Sequence, residues 1–280
     1  MPLIRLSQTV SSRDTVVPFD LTDRGLLLGD GAFDTSLVID GHIVLRTQHF
    51  RRLLNACDVF GFAVKQAELE ALADSTVPDG ATGALRLTVT RGPGARGVAS
   101  TGTSKPTLLA SFTPQPVSFP APAVRLGLSS ILRNPTSPLS RYKTLSYGDT
   151  VMAQRQARQS GYDDALFVTP DGRIACGSIA NVLVRFGSRL MTPPLKDGVI
   201  AGVMRGWILE NAHRGGFEVS ESSLNLEDLK HADNVFLTNS LRLMLAVRSI
   251  DDVAFDPVLP PALTALIDHL LPDLPGRAAD

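Results

Sequence analysis

The stretch Arg141-Tyr142-Lys143-Thr144-Leu145-Ser146-Tyr147-Gly148-Asp149 places one amine between two tyrosines, just ahead of a helical segment. Lys143 is one of five lysines in 280 residues, in a chain with 27 basic residues in all. A primary amine condenses with a carbonyl to form a Schiff base, and a guanidinium does not. A lysine kept here, in an arginine-rich chain, therefore points to covalent carbonyl chemistry. Taken alone, the same residue also fits a solvated surface lysine in front of a helix. The choice rests on what else the chain provides.

Three further stretches suit an anion. Gly198-Val199-Ile200-Ala201-Gly202-Val203-Met204-Arg205 runs a glycine-containing loop into a helix, whose free N–H groups and dipole can hold a phosphate. Thr238-Asn239-Ser240 follows a strand and offers hydroxyl, amide and N–H donors. Arg52, on a predicted helix, can add a charge-assisted bond. Each feature has a plainer counterpart: glycine punctuates many helices, and Arg52 suits a solvated helical face. Combined with a carbonyl-reactive lysine, they point to a phosphorylated aldehyde cofactor, pyridoxal 5′-phosphate (PLP). Hydrolase chemistry is disfavoured because no G-x-S-x-G elbow is present and the five histidines are scattered, His49 and His213 being expected on helix surfaces. No clustered ligands suggest a metal.

These residues need a scaffold. Asp23–Gly31 reads as a glycine-punctuated loop, followed by a strand over 32–39. Asp40-Gly41 is a type I′ hairpin signal, with Ile43-Val44-Leu45 returning. Thr47 is placed to cap a helix over 48–60 whose Phe50, Leu53, Leu54 and Cys57 share a face. A short helix is predicted over 67–73. Leu85, Leu87 and Val89 alternate with polar residues as a half-buried strand does, and run into the glycine-rich loop Arg91–Gly97. Another strand is expected over 107–112. Residues 113–122, with four prolines, read as an extended connection. Beyond it come strands over 124–129, 165–168, 182–186 and 234–237, and helices over 149–159 and 203–212. The mixed order, richer in hairpins than in βαβ series, predicts two α+β domains, residues 1–113 and 123–280, joined by a linker over 114–122.

Composition bounds the function. With 44% hydrophobic and 20% charged residues, the chain is of the soluble globular class. A net charge of −1 offers no electrostatic case for nucleic acid or an anionic membrane. No apolar run reaches the length of a membrane span, and the first residues lack the apolar core of a signal peptide. Cys57 and Cys176 form neither a disulfide framework nor a metal spacing. A cytoplasmic location is the expectation.

Asp23-Arg24-Gly25, Gly29-Asp30-Gly31-Ala32-Phe33-Asp34-Thr35 and His49-Phe50-Arg51-Arg52-Leu53 occur in that order. The Lys143 segment, Ala180-Asn181-Val182, Thr192-Pro193, Gly202-Val203-Met204-Arg205 and Ala232-Asp233 follow. This succession resembles the class IV aminotransferase-type, fold type IV PLP enzymes, from about Asp23 to Ile250. The resemblance implies an α+β, two-domain, D-amino-acid aminotransferase-like fold with PLP in the interdomain cleft, a small-molecule amine substrate and a homodimer. Carried over by position, Lys143 would form the Schiff base and Arg52 would bind the cofactor phosphate. The N–H groups of Val203 and Met204, with Asn239 and Ser240, would complete the phosphate cup. Tyr147 would approach the cofactor's phenolic oxygen, or serve as a packing aromatic.

Within the family, Thr90–Gly97, Arg133-Asn134-Pro135 and Thr238-Asn239-Ser240-Leu241 resemble the aminodeoxychorismate lyases, which convert 4-amino-4-deoxychorismate to 4-aminobenzoate and pyruvate in folate synthesis. Arg91 or Arg96 would then recruit substrate carboxylates. The rival implications are an aminotransferase of D-amino, branched-chain or other amines, and a degenerate PLP-binding protein with little turnover. One position departs from the pattern. The family has a glutamate five residues before the asparagine that is Asn181 here, where it partners the cofactor's pyridine nitrogen; this chain has Cys176. A neutral thiol does not stabilise a pyridinium as a carboxylate does. Asp171 or Glu221 is the expected substitute acid, if one exists.

Overall fold

In the computed structural model, which describes residues 3–7, 19–99 and 105–271, the chain divides into two units. Among the described residues, the first unit takes those up to Val117 together with Lys143–Ser146. The second takes Ser118–Tyr142 and those from Tyr147 onward. No described helix is long and apolar enough to cross a membrane.

The first unit runs β1 (Leu3–Ser7), α1 (Arg24–Leu28), β2 (Gly31–Ile39), β3 (His42–Ile43), α2 (Arg46–Val59), α3 (Gln66–Asp74), β4 (Gly83–Thr90) and β5 (Thr107–Pro114). Its sheet order is β1-β5-β4-β2-β3, with β1 parallel to β5 and the remaining pairs antiparallel. Asp40 and Gly41 take φ of 48° and 78°, the positive pair that a type I′ turn requires. Helix α2 packs on β2 and buries Phe50, Leu53, Ala56 and Cys57. Burial pushes the Cys57 thiol up to about 12, so it behaves as a small core residue.

Two local expectations are corrected. The segment expected as a loop over Asp23–Gly31 contains helix α1, because the Asp23 carboxylate accepts the Gly25 N–H at 2.7 Å and Gly29 closes the turn at φ 67°. Helix α2 begins at Arg46 rather than after Thr47; Leu45, at φ 52°, precedes it without a side-chain cap.

The second unit runs β6 (Val124–Leu128), α4 (Gly148–Gln159), β7 (Asp164–Val168), β8 (Ile174–Gly177), β9 (Asn181–Phe186), β10 (Arg189–Thr192), α5 (Val203–Asn211), β11 (Glu218–Glu221), α6 (Leu226–Leu229), β12 (Asn234–Asn239), β13 (Leu243–Ile250), β14 (Val253–Ala254) and α7 (Pro261–Asp268). The sheet path is β11-β10-β9-β12-β13-β6-β7-β8, with β14 on β13. Strand β8 also returns to β9, where Cys176 faces Asn181, so the strands from β9 round to β8 close a ring. Leu126, Leu166, Ile174, Val182, Val235 and Leu245, one from each strand of that ring, share a buried core.

The domain division also needs a correction. Lys143–Ser146, expected in the C-terminal domain, packs with the first unit. Strand β3 covers β2 only at Val38 and Ile39, and the Lys143 segment takes the edge at the other end. There the Phe33 N–H donates to the Lys143 carbonyl at 2.9 Å and the Leu145 N–H to the Gly31 carbonyl at 3.1 Å. Gly31 permits this approach: a Cβ there would lie 2.5 Å from the Val89 carbonyl and 2.8 Å from Leu145 Cδ1.

Candidate active site

Lys143 is held by its backbone on the edge of β2, and its half-buried side chain carries Nζ to 4.6 Å from the Phe33 ring centroid. A cation–ring contact of this kind is worth about 0.5–1 kcal/mol at a partly exposed site. Thr144 is buried, and its hydroxyl accepts the Ser146 N–H at 3.2 Å. The main chain on either side of the amine is therefore fixed by hydrogen bonds. Tyr147, half-buried, occupies the N-cap position of α4 and accepts the Val151 N–H through its carbonyl.

Arg52 is not a solvated helical arginine. Its Nε and one terminal nitrogen each donate to Asp34 at 2.8 Å, a two-point carboxylate grip. Asp34, on β2 and 2% exposed, also lies 2.6 Å from His49 Nδ1. Burial pushes the Asp34 carboxyl up, but the charges of Arg52 and His49 and their hydrogen bonds outweigh it and hold it well below the ordinary carboxylate range. His49, expected on a helix surface, is therefore a buried partner. Neither Asp34 nor His49 was singled out from sequence. The available signal was an acid on the strand preceding a helix that presents histidine and arginine three residues apart on one face.

In the second unit, the loop entering α5 is fastened at several points. Buried Asp197 accepts from Arg173 at 2.6 Å and from Ser223 at 2.7 Å. Gly198, at φ 77°, offers its carbonyl to Arg133 at 2.8 Å, and Arg133 also donates to Ser140. Asn181 donates to the Ile200 carbonyl at 2.9 Å. Gly202 is the N-cap of α5, without a side-chain cap bond. Val203 and Met204 are buried in the first turn, where helix N–H groups have no carbonyl four residues back. These N–H groups and the helix dipole form an anion-binding terminus. Asn239 contributes differently from expectation: its side-chain oxygen accepts the Leu241 and Arg242 N–H groups at 3.1 and 2.9 Å and shapes the turn that carries Ser240.

Gly202 is a sensitive position. A Cβ there would fall 1.9 Å from Asn181 Oδ1, which is itself fixed through Ile200. Gly202→Ala should displace the start of α5 and weaken binding of a phosphorylated ligand, with inorganic phosphate or pyridoxamine 5′-phosphate binding as the measurement. Unchanged affinity would show that this terminus holds no phosphate.

The remaining expected residues divide. Cys176 is buried opposite Asn181 and packs among Ala153, Phe167, Ala175 and Val199. Burial raises its thiol, so the neutral form is favoured. The two proposed substitute acids are engaged elsewhere: Asp171 with Thr169 and Arg173, and Glu221 with Arg205. Arg91, expected to meet a substrate carboxylate, holds a loop in this structure. Its guanidinium donates to Asp30 at 2.8 Å and to the Gly61 and Phe60 carbonyls. Asp30 also receives Arg24 at 2.9 Å, and Arg24 holds the carbonyls of Gly97 and Val98. The loop is thereby braced at both ends, and Arg96 is exposed between them.

Comparison with known proteins identifies the family. Residues 31–250 match the family model for amino-transferase class IV. The chain is 30% identical to the aminodeoxychorismate lyase of Bacillus subtilis (strain 168), over 96% of each chain. It is 27% identical to the bifunctional aminodeoxychorismate lyase / D-amino acid transaminase of Mycobacterium tuberculosis, over 82% of this chain and 84% of that one. Among solved structures, the 4-amino-4-deoxychorismate lyase of Pseudomonas aeruginosa superposes with a TM-score of 0.83 at 29% identity, covering 92% of this chain and 96% of that one. Members of this family use PLP. The chain belongs to the class IV aminotransferase family and is a PLP-dependent enzyme.

Proposed function

We propose that the enzyme is an aminodeoxychorismate lyase, splitting 4-amino-4-deoxychorismate into 4-aminobenzoate and pyruvate. The observation that favours this over amino transfer is Cys176, a buried thiol where the family resemblance implies a carboxylate, because amino transfer depends more on a strong electron sink than an elimination that forms an aromatic ring. Similarity to the Bacillus subtilis lyase along nearly the whole of both chains supports it. The residue types suit PLP: the Lys143 amine suits its aldehyde, and first-turn N–H groups such as those of Val203 and Met204 suit its phosphate.

When bound, PLP supplies an electron sink next to the substrate amine. Lys143 would hold the cofactor through its amine. With substrate bound, the same amine would take the proton from the ring carbon that bears the amino group. The electron pair left behind completes the aromatic ring as the ether C–O bond breaks, and the protonated lysine returns a proton to the departing enol of pyruvate. Arg52, held by Asp34, would bind the phosphate, and the turn of Asn239 and Ser240 would offer it further donors. Tyr147 would serve the phenolic oxygen. Arg96, at the tip of the braced loop, attracts a substrate carboxylate.

Incubating the PLP-loaded enzyme separately with 4-amino-4-deoxychorismate and with a panel of amino-acid and keto-acid pairs tests the proposal. 4-Aminobenzoate and pyruvate should form in equal amounts, at a rate well above any amino transfer. Brisk transamination without 4-aminobenzoate would overturn it. The second reading is an aminotransferase of D-amino or branched-chain substrates, favoured by similarity to the Mycobacterium tuberculosis enzyme that has both activities in its name.

The same proposal takes the enzyme to be a cytoplasmic homodimer. Leu21, Leu26 and Leu27, in and beside α1, are 74%, 58% and 60% exposed, an apolar surface suited to a second copy. Sedimentation equilibrium should give twice the chain mass of 29.9 kDa. A monomer at micromolar concentration would remove this part.

A further inference from the structure

We infer that this enzyme holds the ring nitrogen of PLP without a proton, and that Cys176 is thereby the residue that turns the site toward elimination and away from amino transfer. The inference deepens the lyase reading and rests on it.

The geometry around Cys176 ties it to the phosphate end of the site. Cys176 faces Asn181 where β8 meets β9. Asn181 in turn donates to the Ile200 carbonyl and lies against Gly202, the N-cap of α5. Val199, from the same loop, packs in the cluster that contains the thiol. Two independent contacts thus set position 176 beside the loop that presents the Val203 and Met204 N–H groups. In PLP, the phosphate and the ring nitrogen are joined by only a few bonds. A ligand anchored at that helix terminus brings its ring to the neighbourhood of the thiol.

Among the described residues, the side chains packed around the thiol are apolar, and the nearby carboxylates are bonded to other groups. Ala153, Ala157, Phe167 and Val199 are apolar. The charged groups that act on the thiol are Arg133 and Asp164. Arg133, bound to the Gly198 and Ser140 carbonyls, is a fixed cation, and a cation nearby opposes formation of a pyridinium. Asp164, on β7, is occupied by the Ser178 hydroxyl and the Ala165 N–H, both of which it accepts, and burial raises its carboxyl above the ordinary value. Asp197 is held by Arg173 and Ser223, Asp171 by Thr169 and Arg173, and Glu221 by Arg205. Each carboxylate already has its own partners.

An unprotonated ring nitrogen withdraws less electron density from a bound substrate. Amino transfer needs that withdrawal through two successive proton shifts at carbon. The lyase reaction needs it less, since loss of the proton and of the C–O bond leads directly to an aromatic product.

The test uses PLP labelled with ¹⁵N in the ring, bound to the wild-type holoenzyme and to Cys176→Glu and Cys176→Ser, and read by ¹⁵N NMR between about pH 6 and 8. Wild type and Cys176→Ser should show the shift of a neutral pyridine throughout. Cys176→Glu should show a pyridinium, because a carboxylate nearby raises the nitrogen's pKa by about 1–3 pH units. Half-transamination of D-alanine, relative to lyase turnover, should rise on the order of tenfold in Cys176→Glu. A pyridinium signal in wild type overturns the inference, and that spectrum decides even if Cys176→Glu does not fold. The lyase reading fails separately: a neutral bound pyridine with no 4-aminobenzoate formed leaves the nitrogen assignment standing and removes the reaction.

Discussion

Lys143→Ala should abolish covalent retention of PLP and lower lyase turnover by at least roughly 10²–10⁴-fold, the range for loss of one positioned acid–base group. The fold should survive, because the bonds that dock this segment on β2 come from main-chain atoms: Phe33 N–H to the Lys143 carbonyl, and Leu145 N–H to the Gly31 carbonyl. Alanine keeps both. The contact of the ammonium with the Phe33 ring is lost, a change of about 1 kcal/mol or less. The measurement is borohydride reduction of the holoenzyme followed by peptide mapping. Wild type should carry the reduced adduct on the peptide that contains Lys143, and the variant should carry none. An adduct on Lys105 or Lys196 would move the site elsewhere.

Arg52→Ala should have two effects at once. Loss of a charge-assisted bond to the phosphate, worth about 1.5–3 kcal/mol, should weaken PLP retention by roughly 10–150-fold. The second effect comes from Asp34, which is 2% exposed and loses the cation that grips both its oxygens. Breaking a buried pair from one side costs about 3–5 kcal/mol of stability. The apoenzyme should therefore also unfold at lower denaturant concentration. The sign with pH follows from the direction of the Asp34 shift. Its carboxyl is lowered on folding from an ordinary value of 3.8, so its contribution is full above that pH and is lost as pH falls below it. The stability gap between wild type and Arg52→Ala should be widest near neutrality and close in acid. Dialysis against PLP-free buffer measures the first effect and urea midpoints across pH the second. Lost stability with unchanged retention would make Arg52 a structural residue alone.

The sequence by itself determined the family, through ordered motifs whose chemistry is local. Asp40-Gly41 makes a turn because only small or polar residues accept two positive φ angles in succession. The strand over Leu85–Val89 and the helix that starts at Val203 follow from apolar period and glycine placement, which any short window displays. The departure at position 176 was likewise visible as a missing charge.

Only the tertiary structure decided where those residues work. Lys143–Ser146 joins the first unit because β2 has an open edge at Ala32 and Phe33, and edge pairing is made by backbone groups that every residue possesses. Arg52 and Arg91 look alike in sequence, as arginines beside motifs. One grips a buried acid next to a histidine, and the other braces a loop through Asp30 and two carbonyls. His49 was misplaced for the same reason: its partner lies fifteen residues away, on a strand. Cys176 acquires its meaning from facing Asn181 where β8 closes onto β9. Each of these depends on a pairing between distant parts of the chain. Side-chain type states what chemistry is available, and long-range packing selects which groups are close enough, and dry enough, to perform it.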